Sequence, residues 1–317
     1  MKKFLTKVSL YIGILLAIII PVSVYYFNKM PRPCPLVSNS ASYNLKAAFV
    51  QQHPEKLRDA GIVVVGSSMA MNNVDAIMLR DSFHRPVINL GSWMLTIAGY
   101  KGSPLWNENK TFLISLGVPD LGDGDSHVDV KDNFSFQTSS RLQEAYNFET
   151  DFRSFLDVAQ QEADIMKLKG NSDYLSCDFD ECGSVIFSDS GFHISDNRWN
   201  ADVFASFGVD SAKVLRFVKN LQYLMESHHG YKEIMLSFSP NRRIFYNRTR
   251  SETIAYLGQL IHEKCPNALF FNMYDHNYPD SLYADNCHFN ARGARRFGRE
   301  LIDSMQQYSV GANSVAK

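Results

Sequence analysis

With 317 residues, 45% of them hydrophobic and 21% charged, the chain is long and apolar enough for one large α/β domain or two smaller ones. A net charge of -1 supplies no basic field of the kind that holds nucleic acid, so no nucleic-acid partner is expected. Five cysteines, none in C-x-x-C spacing, disfavour zinc and thioredoxin-like chemistry, and no metal or organic cofactor is expected.

The first element is an uncharged run of twenty residues, Val8 to Phe27. At about 1.5 Å per residue a helix of this length spans the roughly 30 Å hydrocarbon core of a bilayer. A cleaved signal peptide has a shorter apolar region, about 7–15 residues, and no small-residue cleavage site follows closely here. Residues 8–27 are therefore read as a membrane anchor. Lys2, Lys3 and Lys7 precede it while Lys29 and Arg32 follow, and the expected orientation is N-in, with the large domain on the extracytoplasmic side. Pro21 is expected to kink the helix, which lipid tolerates. Residues 1–29 form the cytoplasmic tail and anchor. Residues 30–41, with Pro31, Pro33, Pro35, Ser38 and Ser40, form an extended tether.

The α/β domain is expected over 42–310, leaving a tail at 311–317. After a helix-like stretch at Tyr43 to His53, apolar runs recur at Ile62–Val65, Val87–Leu90, Phe112–Leu116, Ile234–Phe238 and Ala268–Asn272. Each reads as a strand. Between them, helical periodicity marks Asn73 to Phe83, Ser211 to His228 and Glu252 to Lys264, and a last helix covers Ala291 to Gln307. Alternation of strand and helix predicts right-handed crossovers and a three-layer α/β/α sandwich around a five-stranded parallel sheet, as in flavodoxin-like folds.

One interval breaks this rhythm, an insertion at about 118–208 after the third strand. Asp120, Asp123, Asp125, Asp129 and Asp132 make its start acidic, but their spacing does not match a calcium loop. Ser139 to Lys169 has helical character. The sequence leaves open whether Cys177 and Cys182 are bridged. Leaving the carboxyl end of a strand, the insertion is placed to shape a substrate groove.

Candidate chemistry gathers at the carboxyl ends of the strands, where open parallel sheets bind ligands. The first strand ends in Gly66-Ser67-Ser68, and a serine there becomes a nucleophile when a base and an orienting carboxylate reach it. Asp285-Asn286-Cys287-His288 offers both. Each of these residues also has a plainer reading, Ser68 as a cap of the following helix and Asp285 as the cap of the last one.

Gly66-Ser67-Ser68, Asn89-Leu90-Gly91 and Asp285-x-x-His288, in that order and on those elements, resemble the blocks of the SGNH, or GDSL, hydrolase superfamily. Together with the anchor, they are similar to its membrane-anchored branch, which includes the D-alanyl-lipoteichoic acid biosynthesis protein and factors that O-acylate surface polysaccharides. The resemblance implies that Ser68 is the nucleophile, His288 the general base and Asp285 the residue that orients it. It implies the N–H groups of Ser68 and Gly91 as oxyanion donors. The superfamily's further donor, an asparagine in a Gly-x-Asn-Asp block, is absent from Gly117-Val118-Pro119-Asp120, and Asn241 is the candidate replacement.

At the end of the fourth strand, Arg242 and Arg243 are candidate ligands for an anionic polymer, or alternatively members of a solvated loop. The expected function is a membrane-anchored serine esterase or O-acyltransferase acting on acyl esters of a cell-surface glycan. Its partners are the acylated polysaccharide and a membrane-bound O-acyltransferase. The rival reading is an inactive relative that binds or assembles.

Overall fold

The run Ile62–Gly66 forms β1, and all five of its residues are buried. A computed structural model of the chain describes residues 1–29, 41–93, 95–100, 102–121, 178–189 and 210–315. The remaining strands are β2 (Val87–Asn89), β3 (Thr111–Leu116), β4 (Glu233–Phe238) and β5 (Ala268–Asn272). They pair in the order β2-β1-β3-β4-β5, and every pairing is parallel.

Burial on both faces explains the near-continuous apolar runs, because residues i and i+2 of a strand share a face. Val63 and Val65 of β1 enter one core with Ile114 of β3 and Leu236 of β4. That core is closed by α2 (Ala41–Gln52) through Tyr43, Ala47 and Val50 and by two long helices, which we number α7 (Ser211–Ser227) and α8 (Arg248–Lys264). Ile62 and Val64 enter the opposite core with Leu113 and Met235. There α4 (Ser68–Asn73), α5 (Ala76–Phe83) and the last helix, α9 (Ala291–Val315), supply Ala70, Leu79, Phe297 and Leu301. The result is the three-layer α/β/α arrangement with a five-stranded parallel sheet. Shorter helices, α3 (Pro54–Asp59) and α6 (Ile97–Tyr100), fill the connections.

Several element boundaries differ from expectation. The helix expected from Asn73 to Phe83 begins at Ala76, because Asp75 leaves helical geometry and its carboxylate accepts the Met78 amide, while Asn73 ends the separate short helix α4. α8 begins at Arg248, earlier than its apolar periodicity, because Asn247 caps it by accepting the Thr249 N–H. The N-terminal helix α1 (Lys2–Lys29) continues across Pro21, and its stretch Lys2–Val22 is long and apolar enough to cross a membrane, a test a signal sequence also passes.

The insertion is only in part a departure from the core. Residues 178–189 return to the sheet: Cys182 O accepts the Asn89 N–H at 2.7 Å, and the Val185 N–H donates to Met71 O at 3.0 Å. The buried Lys46 ammonium from α2 donates to Asn89 O and Gly183 O and lies 4.0 Å from the centre of the Phe179 ring. Asp189 ties the segment's end to Arg292 and Arg295 of α9. Cys182 is a free thiol. Cys177, the acidic run after Asp120, the helix expected at Ser139 to Lys169 and the tether's proline stretch lie outside the described residues.

Candidate active site

The site begins where β1 ends. Gly66 has φ +137°, and a Cβ there would stand 2.6 Å from Ser115 O of the neighbouring strand, so glycine is required for the turn. Ser67 follows in extended geometry and caps α4, its Oγ accepting the Met69 N–H at 3.2 Å. The capping duty foreseen for Ser68 thus falls one residue earlier. Ser68 is the first residue of α4, and its own hydroxyl faces a histidine.

That histidine arrives from the far end of the chain. Asp285 Oδ1 accepts the Cys287 and His288 amides at 2.8 and 2.7 Å, which folds Asp285 to His288 into a tight turn. Asp285 Oδ2 lies 2.8 Å from His288 Nδ1, and His288 Nε2 lies 2.7 Å from Ser68 Oγ. Asp285 therefore does not cap the last helix; Asn290 does, accepting the Gly293 N–H at 3.1 Å.

Burial pushes the Asp285 carboxyl up, but the adjacent imidazole and the two amide donors outweigh it and hold the carboxyl below its ordinary value. An ionised carboxylate beside Nδ1 selects the tautomer with hydrogen on Nδ1. Nε2 is then free to accept the Ser68 proton.

Two residues absent from the sequence-level candidates complete this frame. Asn73, at the end of the helix that Ser68 begins, accepts the Phe289 N–H at 2.9 Å and donates to Cys287 O at 3.1 Å, pinning the histidine turn to α4. Phe187, from the returning part of the insertion, meets the His288 ring edge-on, with centroids 6.1 Å apart at 81°. Neither carries a sequence signal beyond Asn73's place at a helix end.

The oxyanion candidates fare differently. The Ser68 N–H is the first amide of α4 and has no acceptor within the helix. The Gly91 N–H donates to Asn89 Oδ1 at 2.9 Å, a local turn that takes up the amide expected to face substrate. Asn89 is itself fixed by donating to Ala70 O at 2.7 Å and Ser184 Oγ at 3.0 Å. Asn241 is buried, with neither amide atom hydrogen-bonded among the described residues, and it neighbours the Tyr274 phenol beyond β4.

The arginine pair separates. Arg242 is buried, donating to Asp280 at 2.7 and 3.2 Å and to Asn286 at 2.9 Å, so it braces the loop that carries Asp285 instead of offering itself to a polymer. Its neighbour Arg243 is exposed.

Donor atoms of Asp285, Cys287 and His288 lie within 4.8 Å of one another. Both imidazole nitrogens face Asp285 and Ser68, however, and burial with Asp285 and Asp120 nearby pushes the Cys287 thiol up, keeping it protonated and a poor metal ligand. The set fits proton transfer between a carboxylate, an imidazole and an alcohol.

A scan against protein families and a search of curated proteins find no match to the chain. Solved structures that align with it include two esterases. One is a carbohydrate esterase whose active site displays divergent catalytic and non-catalytic binding functions, at 11% identity and a TM-score of 0.35 over 78% of this chain and 69% of the other. The second is an acetyl xylan esterase from the rumen bacterium Butyrivibrio proteoclasticus, at 9% identity and a TM-score of 0.35 over 78% of this chain and 63% of the other. Likeness this distant carries nothing about chemistry.

Proposed function

We propose that this chain is a membrane-anchored, extracytoplasmic serine esterase or O-acyltransferase acting on acyl esters of a cell-surface glycan. The observation that carries the reading is the continuous relay from Asp285 Oδ2 through His288 to Ser68 Oγ, with spacings of 2.8 and 2.7 Å. In the first step His288 Nε2 takes the Ser68 proton as Oγ attacks the ester carbonyl. The Ser68 N–H is placed to donate to the oxyanion. Collapse breaks the bond to the leaving alcohol, which receives the proton from His288, and leaves an acyl ester on Ser68. Water yields hydrolysis and a sugar hydroxyl yields transfer, each activated by the same imidazole. Asp285 stabilises the transient imidazolium. The anchor at 8–27 keeps the reaction near the envelope, where a membrane-bound O-acyltransferase is a fitting partner.

A second reading is favoured by one specific feature. With the Gly91 amide engaged by Asn89 and Pro119 where a donor asparagine is expected, the Ser68 N–H is the one candidate backbone donor left in place among the described residues. Each missing donor costs roughly 10²–10³ in turnover, which suits a slow enzyme or an inactive binding protein of the same fold. Fluorophosphonate labelling of the full chain in detergent separates the two. An active relay gives a covalent adduct on Ser68 that is lost in Ser68→Ala and His288→Ala. A folded wild-type protein that takes no label eliminates the enzymatic reading.

A further inference from the structure

Beyond β4 the chain makes the 3-10 turn Arg243–Phe245, closed by the Tyr246 N–H donating to Arg243 O at 3.1 Å. Phe245 is buried in the core, while Ile244 and Tyr246 on either side of it are 53% and 54% exposed. Single apolar side chains at a surface need no explanation. Tyr246 differs because its ring is held in place. It stacks on Tyr274, with centroids 6.0 Å apart and planes 25° from parallel, and the buried Tyr274 in turn meets Phe238, the last residue of β4, edge-on at 6.1 Å. One face of the Tyr246 ring is thus fixed on a column of aromatic rings that reaches the core, and its exposure leaves the other face to solvent.

This ring stands on the same rim as the relay. Gly66, Ser115 and Ser237 share one row across β1, β3 and β4, so the ends of β1 and β4 are two strand spacings, about 10 Å, apart. Arg242, which opens the turn, donates to Asn286 beside Asp285 at 2.9 Å and braces turn and relay together. Residues three apart in a 3-10 turn share a face, which puts the exposed Arg243 on the side of Tyr246. The Arg243 guanidinium makes no hydrogen bond or ion pair among the described residues. A pre-set ring face suits the C–H face of a pyranose, whose partial positive charge meets the negative face of the ring. A guanidinium beside it suits a carboxylate or phosphate on the same chain.

We propose that Tyr246 is a stacking platform for a sugar of an acidic glycan, a short way along the polymer from the ester at Ser68, with Arg243 holding the negative charge. This assignment rests on the reading of the chain as acting on a glycan and names the class of that glycan. Contacts so far from the reacting bond are the same in the ground state and the transition state, so they act on the affinity for polymer.

The test is isothermal titration of polymer into the full chain in detergent on a Ser68→Ala background, where no ester is consumed and the state of the nucleophile does not enter. The probes are O-acetylated polygalacturonate, which is acidic, and O-acetylated glucomannan, which is neutral. The parent is expected to bind the acidic polymer more tightly. Tyr246→Ala weakens that binding about fivefold, and Tyr246→Phe, which keeps ring and stack, stays within about twofold of the parent. Arg243→Ala reduces the preference for the acidic polymer and its salt dependence. Parent affinity in Tyr246→Ala overturns the proposal, as does a Tyr246→Phe protein no better than the alanine variant. A parent that binds neither polymer, or both equally, overturns it too. Loss of Tyr246 nitration by tetranitromethane on reconstitution into phospholipid vesicles without polymer assigns the ring to the bilayer and has the same effect. A chain that passes these tests yet takes no fluorophosphonate label at Ser68 keeps the platform and loses only the enzymatic reading.

Discussion

Asn73 and His288 are joined through the peptide groups on either side of the imidazole: the Asn73 side-chain amide donates to Cys287 O and accepts the Phe289 N–H. Asn73 ends the helix that Ser68 begins, so one buried side chain sets the distance between the alcohol and the imidazole across 220 residues of sequence. Replacing it by alanine leaves a buried carbonyl and a buried amide unpaired, at about 1–3 kcal/mol each. Asn73→Ala is expected to lose stability on that scale in urea and to lower the labelling rate of Ser68, because small displacements in a relay are costly. A destabilised variant that labels at the wild-type rate would mean that the turn is held elsewhere.

Asp285→Asn tests the imidazole's orientation. An amide at this position can donate to Nδ1, which favours the tautomer with hydrogen on Nε2 and leaves nothing to accept the Ser68 proton. Turnover of an aryl acetate is expected to drop by roughly 10³–10⁴. The same residue makes an acid-stability prediction. Its folded carboxyl sits below the ordinary 3.8, so the stability it contributes is fully present above that value and is lost as pH falls beneath it. Acid unfolding of Asp285→Asn should lack this component.

Asp120 has the opposite linkage. Its carboxyl is raised from 3.8 to about 6 in the folded chain, so between those values the folded state binds more protons than the unfolded state. Stability attributable to this group therefore falls as pH rises toward 6 and stays lower above it. At about 1.4 kcal/mol per pH unit the cost at neutral pH is roughly 3 kcal/mol. Asp120→Asn should unfold at higher urea than wild type at pH 7.5, with the difference shrinking at pH 4.5. Equal unfolding midpoints for the two proteins at pH 7.5 would mean that the carboxyl is not raised in the folded chain.

What the sequence displays and what it hides divide along physical lines. The strands are legible because burial on both faces leaves almost no polar residue in Ile62–Val65 or Ile234–Phe238. Ser68, Asp285 and His288 stand out by residue type and order, whereas the 2.7 and 2.8 Å spacings depend on a fold that the pattern only implies. The return of residues 178–189 is illegible because backbone groups make its pairing with the sheet edge and α4: the Cys182 carbonyl meets the Asn89 amide, and the Val185 amide meets the Met71 carbonyl. Backbone pairing leaves no mark in side-chain chemistry. Gly91 fails as an open donor for a similar reason, since its amide is claimed by the rotamer of Asn89 two residues away. Arg242 reads as a surface cation until Asp280 and Asn286 are seen around it.

Gly91 still has a steric role that can be measured. A Cβ at this position would come within 2.6 Å of Met71 N and 2.8 Å of the Ala70 Cβ on α4. Gly91→Ala must push back the helix that carries Ser68, and overpacking of this kind costs about 1–3 kcal/mol. The expected outcome is a lower melting temperature together with slower labelling. Unchanged stability would show that the strand end has slack.

Arg242 and Arg243 make the sharpest contrast between neighbours. Arg242 spans Asp280 and Asn286, holding the loop from which Asp285 and His288 emerge, and removing it takes away its hydrogen bonds to the half-exposed Asp280 and the buried Asn286. Because Asp280 is about half exposed, with 47% of its side chain accessible, water replaces part of what is lost. The expected destabilisation is thus nearer to about 1–3 kcal/mol than to the larger cost of breaking a fully buried pair. Turnover should fall with it, through displacement of the Asp285 turn, while the affinity for a small aryl ester changes little. Arg243 is exposed, so Arg243→Ala should leave stability and small-ester turnover unchanged and act only on a polyanionic substrate, by raising KM in a salt-dependent way. If Arg242→Ala instead raised KM for the polymer at constant turnover and stability, its guanidinium would have to leave Asp280 to meet substrate, and its role as a brace would be wrong.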